Sequence, residues 1–372
     1  MNKKKKILIF TRHTIPGGVQ RFLINILREF NIDNKNFEYF VTHSTCNIKE
    51  ENNDNINYIE VKAKSKLFFD YIQTFKYILK IKPDIIIYPA NIIPFTHFFL
   101  KKLKFNITYD LGYFVPELNA YKSGDTLYMK TFIPYSCRKS TRTFAISEAT
   151  KKDIVSRIGI NPEKIIVCPL AVEKAFMIIE DEISLNETIR KFNINQPYLF
   201  YAGSLSPRKN LKNIISAFDR LINKIPHTLV LTGNIAWKST EIYEIMKTIP
   251  NDRLKLVGNV SETDLVNLYN KADLFLYPSL YEGFGLPILE AQACGCPVLT
   301  SNVTSCPEVA GNSALVVNPY DIDEIANGIL KIVKDTDYKQ NLIKLGFDNI
   351  KRYNWQKTAR VILDNLTEKE KN

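Results

Sequence analysis

Apolar runs that are rich in β-branched residues alternate with segments of helical period along nearly the whole chain. This alternation predicts parallel strands joined by helical crossovers, and therefore a doubly wound α/β fold. The predicted strands span residues 7–10, 37–42, 84–88, 107–109, 143–146, 165–168, 198–201, 228–231, 254–257, 274–277, 297–300 and 314–317. In the first half, helices are predicted at residues 19–30, 67–80, 126–139 and 147–158.

The chain has 372 residues, more than one core of ordinary size supports, so we expect two domains. The strand rhythm is lost over residues 180–195, which places the break after residues 169–172. We predict one Rossmann-like domain over residues 1–175 and another over residues 180–350. Ligands bind beyond the carboxyl ends of the strands in open α/β sheets, so two domains with facing sheets would hold their ligand in a central cleft.

Neither the cysteines nor the apolar segments indicate a secreted or membrane-spanning protein. The six cysteines are scattered without paired spacings, which in a chain of this length indicates reduced thiols. Cys294, Cys296 and Cys306 lack a fourth ligand for structural zinc, so no metal site is expected. No apolar run has the length of a signal peptide or a membrane span. We therefore expect a cytoplasmic protein.

The segment from Glu282 to Glu290 combines a glycine-rich turn with two carboxylates. It follows a predicted strand and opens a helix, where free backbone N–H groups meet an incoming anion. The carboxylates lie about 12 Å apart along a helix and can therefore grip two parts of one elongated ligand. A capped buried helix would explain Glu282 but not the glycine turn. The candidate binding residues are Glu282, Gly283, Phe284, Gly285, Leu286 and Glu290.

A second candidate anion site follows the predicted strand 198–201. Ser204 lies in this loop, and Arg208 and Lys209 are adjacent at the start of the next helix, where the helix dipole is already positive. Such a site predicts a diphosphate as its occupant, although an isolated Arg-Lys pair is often a solvated turn.

Together these elements resemble the retaining glycosyltransferase family called GT4, and the resemblance spans nearly the whole chain. The family signature is a Glu, seven residues and a second Glu, which Glu282 and Glu290 match. Arg208 and Lys209 match the family's diphosphate-binding pair. Residues 351–372 resemble the helix that crosses back to the first domain. The resemblance implies the GT-B fold, with two Rossmann-like domains whose parallel sheets face a central cleft.

The resemblance also implies roles for individual residues of the second domain. Glu282 would contact the hydroxyls of the transferred sugar, and Glu290 those of the ribose. The amides from Gly283 to Gly285 would meet sugar and phosphate, while Asn259 and Val260 would hold the base. Since the two cations would stabilise the leaving diphosphate, neither a metal nor another cofactor is expected.

In the first domain the resemblance is less complete. Gly17 and Gly18 match the family's N-terminal glycine loop but lack the spacing of a dinucleotide-binding fingerprint. Many members carry a His that contacts the sugar near the reacting bond, whereas Tyr109 occupies that place here. A Tyr hydroxyl donates a hydrogen bond but is a poor proton carrier near neutral pH. We expect Tyr109 to orient the transferred sugar.

The function implied by the resemblance is transfer of a hexose from a GDP- or UDP-linked donor, with retention, to a glycan or lipid-linked acceptor. The expected setting is synthesis of a bacterial surface polysaccharide such as lipopolysaccharide. Two alternatives remain open. One is a GT-B sugar-nucleotide epimerase, and the other is a degenerate binding subunit, which the departure at Tyr109 would suit.

Positive charge is concentrated in the first half of the chain. Residues 1–179 hold 28 Lys/Arg and 16 Asp/Glu, a net of +12, whereas residues 180–372 hold 22 and 23, a net of −1. The asymmetry favours a polyanionic partner for the first half, although a solvated lysine-rich surface is the alternative. No nucleic-acid-binding motif accompanies the charge, so nucleic acid is not expected.

An anionic membrane is the partner that fits this charge, with the protein peripheral on the inner face of the cell membrane. The predicted helix 67–80 has one apolar side, formed by Leu67, Phe68, Tyr71, Ile72, Phe75, Ile78 and Leu79. Its other side places Phe69 between Lys76 and Lys80, an aromatic among cations. Lys101 and Lys102 follow a second aromatic segment. The predicted membrane-facing residues are Phe69, Lys76, Lys80, Lys101 and Lys102.

Overall fold

The computed structural model describes residues 4–11, 18–32, 36–43, 55–61, 69–118, 120–195, 197–234 and 240–367. The chain divides into two compact units. Unit 1 comprises Met1–Phe114, Lys122–Leu170 and Asn354–Asn372. Unit 2 comprises Val115–Tyr121 and Ala171–Tyr353.

Unit 1 contains a seven-stranded sheet in which all paired strands are parallel. Its strands are β1 (Lys5–Phe10), β2 (Phe37–His43), β3 (Ile56–Glu60), β4 (Ile85–Tyr88), β5 (Leu103–Thr108), β6 (Arg142–Ala145) and β7 (Ile165–Val167). The spatial order is β3-β2-β1-β4-β5-β6-β7. Its helices include α1 (Gly18–Ile32), α2 (Thr74–Ile81), α3 (Ser123–Lys139) and α4 (Glu148–Ile158).

Unit 2 contains a six-stranded parallel sheet in the order β10-β9-β8-β11-β12-β13. The strands are β8 (Tyr198–Ala202), β9 (Thr228–Thr232), β10 (Leu254–Gly258), β11 (Leu274–Tyr277), β12 (Val298–Ser301) and β13 (Leu315–Val317). The helices are α5 (Glu182–Lys191), α6 (Leu211–Asp219), α7 (Thr240–Met246), α8 (Glu262–Lys271), α9 (Leu286–Ala293), α10 (Cys306–Ala310), α11 (Ile322–Lys334) and α12 (Thr336–Ile350). The last helix, α13 (Trp355–Thr367), belongs to unit 1.

The central strands are apolar because both faces of each parallel sheet are covered. Every residue of β4, β8, β9, β11 and β12 is buried. This is the pattern expected of parallel sheets with helices on both sides. The predicted doubly wound α/β architecture is confirmed. Of the helices that the structure describes, none combines the length and the apolar character needed to cross a membrane.

Two strands of unit 1 differ from the prediction because polar residues interrupt them. β3 is not among the predicted strands; it lies at the sheet edge, and Ile56 is its one buried residue. β5 spans Leu103–Thr108, whereas the prediction covers residues 107–109. Lys104 and Asn106 break its apolar run, yet both are buried. Lys104 Nζ donates to the carbonyl oxygen of Leu100 at 2.6 Å, which satisfies the buried ammonium.

The helix predicted over residues 67–80 faces the core differently from the prediction. Its described part begins with a π-helix, Phe69–Gln73, which continues into α2. Ile72 and Leu79, predicted to be core residues, are 56% and 60% exposed. A π-helical turn holds more residues than an α-helical turn, which shifts the side chains that face the core. The buried residues of α2 are Thr74, Ile78 and Ile81.

A buried imidazole fixes the loop that follows β4. His97 Nε2 lies 3.0 Å from Thr74 Oγ1, and its Nδ1 lies 2.9 Å from the hydroxyl oxygen of Tyr88. The ring of Phe10 packs beside the imidazole. Burial, with a smaller contribution from the nearby charge of Lys104, lowers the pKa of His97 to about 3. His97 is therefore a neutral structural residue of unit 1.

Candidate functional site

Three charged side chains meet in the interior of unit 2. Lys209 Nζ donates to Glu282 Oε1 at 2.6 Å and to the hydroxyl oxygen of Tyr277 at 2.6 Å. Arg208 Nη1 donates to Glu282 Oε2 at 3.0 Å and to the carbonyl oxygen of Tyr281 at 3.1 Å. Lys209 and Glu282 are each 7% exposed. The structure thus brings together the first residue of the Glu-x7-Glu motif and the predicted diphosphate-binding pair.

This cluster holds two positive charges and one negative charge. Burial alone would raise the pKa of Glu282, but Lys209 and Arg208 together lower it to about 2. Burial lowers the pKa of Lys209; Glu282 opposes that shift, and Arg208 adds to it. One positive charge is therefore in excess, and the cluster can attract an anion. An arriving anion would favour the protonated form of Lys209.

The turn that carries the two cations is bonded to two other loops of unit 2. Pro207–Lys209 forms a 3-10 turn, and Asn210 follows in the left-handed region at φ 62°. Asn is among the residues that tolerate this conformation. Asn210 Nδ2 donates to the carbonyl oxygens of Pro278 at 2.9 Å and Pro319 at 2.6 Å. The loops after β11 and β13 therefore fix the turn in position.

The glycine turn after Glu282 is fixed in a similar way. The backbone N–H of Glu282 donates to Thr304 Oγ1 at 3.1 Å. Ser305 Oγ lies 2.9 Å from the carbonyl oxygen of Glu282 and 2.7 Å from that of Phe284. Gly285 has φ 105°, a conformation that favours glycine, and it directly precedes α9. The positive end of the α9 dipole therefore lies a few residues from Glu282.

The second carboxylate of the motif has a different environment. Glu290 lies in α9 and is 3% exposed. The hydroxyl of Tyr269 donates to Glu290 Oε2 at 3.1 Å. The ribose contact expected of Glu290 stays a prediction.

The carboxyl ends of β8, β9 and β10 are joined by backbone contacts. Gly203 N donates to the carbonyl oxygen of Thr232 at 3.0 Å, and Gly233 N to that of Gly258 at 2.9 Å. A Cβ at Gly233 would lie 1.9 Å from the carbonyl oxygen of Gly203, so a larger residue does not fit. These loops, directly after their strands, contain three predicted donor-site residues: Ser204, Asn259 and Val260.

The sequence of this unit has known relatives. Residues 185–348 match the family model described as Glycosyl transferases group 1. The matched residues lie within unit 2. Over 233 residues the chain is 30% identical to the O-antigen chain mannosyltransferase B of Escherichia coli, which covers 62% of this chain and 61% of that protein. The chain thus spans less than two thirds of the length of the curated relatives that it matches.

Two solved structures share the fold over almost the entire chain. The Anabaena protein Alr3699/HepE, in complex with UDP and glucose, has a TM-score of 0.78 and 18% identity, covering 98% of this chain and 99% of that one. A glycosyltransferase from Rickettsia africae ESF-5 has a TM-score of 0.76 and 17% identity, covering 99% of both chains. The prediction of a GT-B fold is confirmed.

Tyr109, in unit 1, lies directly after β5. Its side chain is 8% exposed and meets the ring of Phe22 edge-on, with centroids 5.9 Å apart. Its hydroxyl is buried and has no hydrogen-bond partner among the residues that the structure describes. Burial raises the pKa of Tyr109 well above its usual value, and nearby Cys168 adds to this, so the phenol is a neutral donor. Its sugar-orienting role stays a prediction.

The remaining predicted residues also belong to unit 1. Gly17 and the side chain of Phe69 lie outside the described residues. Gly18 is described as the first residue of α1. The four predicted membrane-facing lysines are all exposed: Lys76, Lys80, Lys101 and Lys102.

Sequence reasoning missed three hydroxyl residues at or beside the charged cluster of unit 2. Tyr277 contacts Lys209, while Thr304 and Ser305 hold the glycine turn. Tyr277 ends β11, and the other two follow β12. Ligands of open α/β sheets lie beyond the carboxyl ends of the strands, so the positions of these residues at strand ends could have marked them as candidates.

Proposed function

We propose that this chain is a retaining glycosyltransferase that moves a hexose from a nucleotide diphosphate sugar to a glycan or lipid-linked acceptor. The buried contact of Arg208 and Lys209 with Glu282 carries the proposal. An acceptor in bacterial surface polysaccharide synthesis is supported by the match to an O-antigen mannosyltransferase.

In this mechanism Arg208 and Lys209 stabilise the diphosphate that leaves when the glycosidic bond to the donor breaks. Charges held in place before the reaction, in surroundings with little water, stabilise developing charge strongly. Glu282 stays ionised because of the two cations and accepts hydrogen bonds from hydroxyls of the sugar. Glu290 has the corresponding role at the ribose. The backbone amides of the glycine turn contact sugar and phosphate.

The relatives support two different donors. Mannosyltransferases among them favour a mannosyl donor, for which GDP-mannose is the natural probe. The structural likeness to a protein solved with UDP and glucose makes UDP-glucose the second probe. Isothermal titration of both nucleotide sugars, followed by NMR assignment of the anomeric configuration of the product, tests the donor and the retention.

Arg208→Ala and Glu290→Ala test the site itself. Each variant removes a charge-assisted contact worth about 1.5–3 kcal/mol, so we expect binding of the preferred nucleotide sugar to weaken roughly 10- to 150-fold. Lys224→Ala, at an exposed position of unit 2, is the matched control and should bind as the wild type does. Unchanged affinity in both site variants would contradict the assignment.

We also propose that transfer needs no divalent cation, because Arg208 and Lys209 supply the positive charge. The transfer assay is repeated with a chelator in excess, and the rate should be unchanged. A rate that collapses with the chelator and returns with magnesium or manganese would contradict this part of the proposal.

A further inference from the structure

The amino ends of neighbouring strands in unit 1 carry a row of lysines, which we call the basic edge: Lys5, Lys6, Lys80, Lys82, Lys101 and Lys102. The sheet register aligns Ile7 of β1 with Ile85 of β4, and Ile85 with Leu103 of β5. Lys5 and Lys6 begin β1, and Lys101 and Lys102 directly precede β5. Lys80 and Lys82 lie within five residues of the start of β4, so the row follows the amino ends of three adjacent strands. With about 4.8 Å between strands, the row is roughly 10 Å wide.

Part of the basic edge forms a cavity of about 430 Å³. Lys4, Lys5 and Lys6 line one part of it, and Lys80 and Lys82 line another. Asp84 is the one carboxylate among its lining residues, and Asp84 Oδ2 accepts a hydrogen bond from the backbone N–H of Lys6 at 2.8 Å. Five lysines around one carboxylate leave a large excess of positive charge.

The exposed lysines of this region are not neutralised within the described parts of the chain. Among those residues, none of Lys76, Lys80, Lys101 and Lys102 forms an ion pair with a carboxylate. Lys104, by contrast, points inward to backbone carbonyl oxygens. The outer cations are therefore available to an anionic partner.

Exposed apolar side chains stand among these cations. Phe99 is 86% exposed and lies two residues before Lys101, and Leu79 is 60% exposed beside Lys80. Tyr135, half exposed, stacks on Phe98 with ring centroids 6.1 Å apart. A polyanion in water would satisfy the lysines but would leave Phe99 and Leu79 in contact with solvent. A lipid surface satisfies both, because its headgroups meet cations and its acyl boundary meets apolar side chains.

We propose that the basic edge, with Leu79 and Phe99, docks unit 1 on a membrane that contains anionic lipids. The cavity between Lys5 and Lys82 receives lipid phosphates, while Phe99 and Leu79 enter the headgroup boundary. This surface differs from the predicted one, because Leu79 replaces Phe69 as the apolar residue beside Lys76 and Lys80. The docking surface is separate from the residue of unit 1 that is proposed to act in transfer. Tyr109 follows the carboxyl end of β5, whereas the basic edge lies at the amino ends of the strands.

Co-sedimentation with vesicles tests this surface. The probes are vesicles of phosphatidylcholine with about 30% phosphatidylglycerol, and vesicles of phosphatidylcholine alone. The wild-type protein should pellet with the anionic vesicles only, and raising the salt concentration should release it. The basic-edge variant changes Lys80, Lys101 and Lys102 of the basic edge, together with the neighbouring Lys76, to Glu. It should partition at least tenfold less.

A second set of four exposed lysines in unit 2 supplies the matched control: Lys224, Lys247, Lys334 and Lys344 changed to Glu. Both variants lower the formal net charge from +11 by 8, to +3, so a general charge effect would weaken both equally. The double variant Leu79→Ser, Phe99→Ser keeps the charge and should partition severalfold less than the wild type.

Three outcomes would overturn the proposal. The wild type stays in the supernatant at low salt, the control variant loses as much binding as the basic-edge variant, or the Ser double variant partitions as the wild type does. The last result, together with retention on polyphosphate-coated beads, would identify a free polyanion as the partner. Nucleotide-sugar titration of the same variants separates this test from the proposed function, because the basic edge should leave donor binding unchanged.

Discussion

The cations of the two units are arranged in opposite ways. In unit 2, Arg208 and Lys209 are largely buried and paired with one carboxylate. In unit 1, Lys5, Lys80 and Lys82 of the basic edge are exposed and line a cavity that has a single carboxylate among its described lining residues. Buried ions need a close partner because removal from water is costly, whereas exposed ions do not. Burial therefore distinguishes cations that are held by a carboxylate from cations that stay accessible to solvent.

The largest expected effect comes from removing the carboxylate that pairs with the buried cations of unit 2. Glu282→Ala would leave Lys209 in the interior without its carboxylate, which typically costs about 3–5 kcal/mol of unfolding free energy. Chemical denaturation measures it. The control is Glu244→Ala, which removes the exposed pair with Lys247 and should change stability by less than about 1 kcal/mol. Equal losses in the two variants would mean that burial does not distinguish these ion pairs.

The second prediction compares how the two units respond to mild acid. His97 of unit 1 is neutral in the folded state down to a pKa of about 3, whereas an unfolded His gains a proton below 6.5. The contribution of His97 to the free energy of unfolding is therefore present above pH 6.5 and decreases as the pH falls toward 3. Between pH 6.5 and 5 the loss amounts to about 2 kcal/mol. In unit 2, the depressed pKa of Glu282 costs stability only below its ordinary value of 4.5.

Tryptophan fluorescence can follow unit 1 by itself. The chain has two tryptophans, and Trp355 belongs to unit 1, so a Trp237→Phe background leaves one reporter. Urea unfolding at pH 6.5 and pH 5 should show the loss in this background and not after His97→Gln. If the Gln variant loses as much stability over this range, another group of unit 1 is responsible.

The smallest expected effect concerns the carboxyl ends of the strands in unit 1. Tyr109→Phe removes a buried hydroxyl that has no hydrogen-bond partner within the described residues, so unfolding free energy should change by less than about 1 kcal/mol. If the hydroxyl orients the sugar, transfer should slow modestly with nucleotide binding intact. Loss of all activity in a folded variant would give Tyr109 a more central chemical role, and an unchanged rate would remove its predicted one.

The sequence predicts the fold well because the buried strands of both sheets are continuous apolar runs. It also predicts that Glu282, Arg208 and Lys209 belong to one ligand site, and the structure brings them into contact. Both predictions rest on local patterns, an apolar run between turns and a motif at the end of a strand, and the ligand of the second stays a prediction.

The errors arise where a tertiary contact overrides the local pattern. β5 is missed over most of its length because Lys104 is buried by bonding to carbonyl oxygens of the preceding loop, a contact that composition cannot reveal. The exposure of Leu79 depends on how the helix 69–81 packs after its π-helical turn. Ser305 bonds to the glycine turn although it lies more than twenty residues later in the sequence. The spacing of residues along the chain does not indicate that the two segments are in contact.

The backbone contact between Gly203 and Gly233 has a consequence for engineering. The two loops approach so closely that even a methyl group at Gly233 would collide with the carbonyl oxygen of Gly203. A library built to change donor preference should therefore keep both glycines invariant and diversify the side chains beside them, at Ser204 and Asn259. The backbone of the loops would then stay unchanged, and any new specificity would come from the substituted side chains.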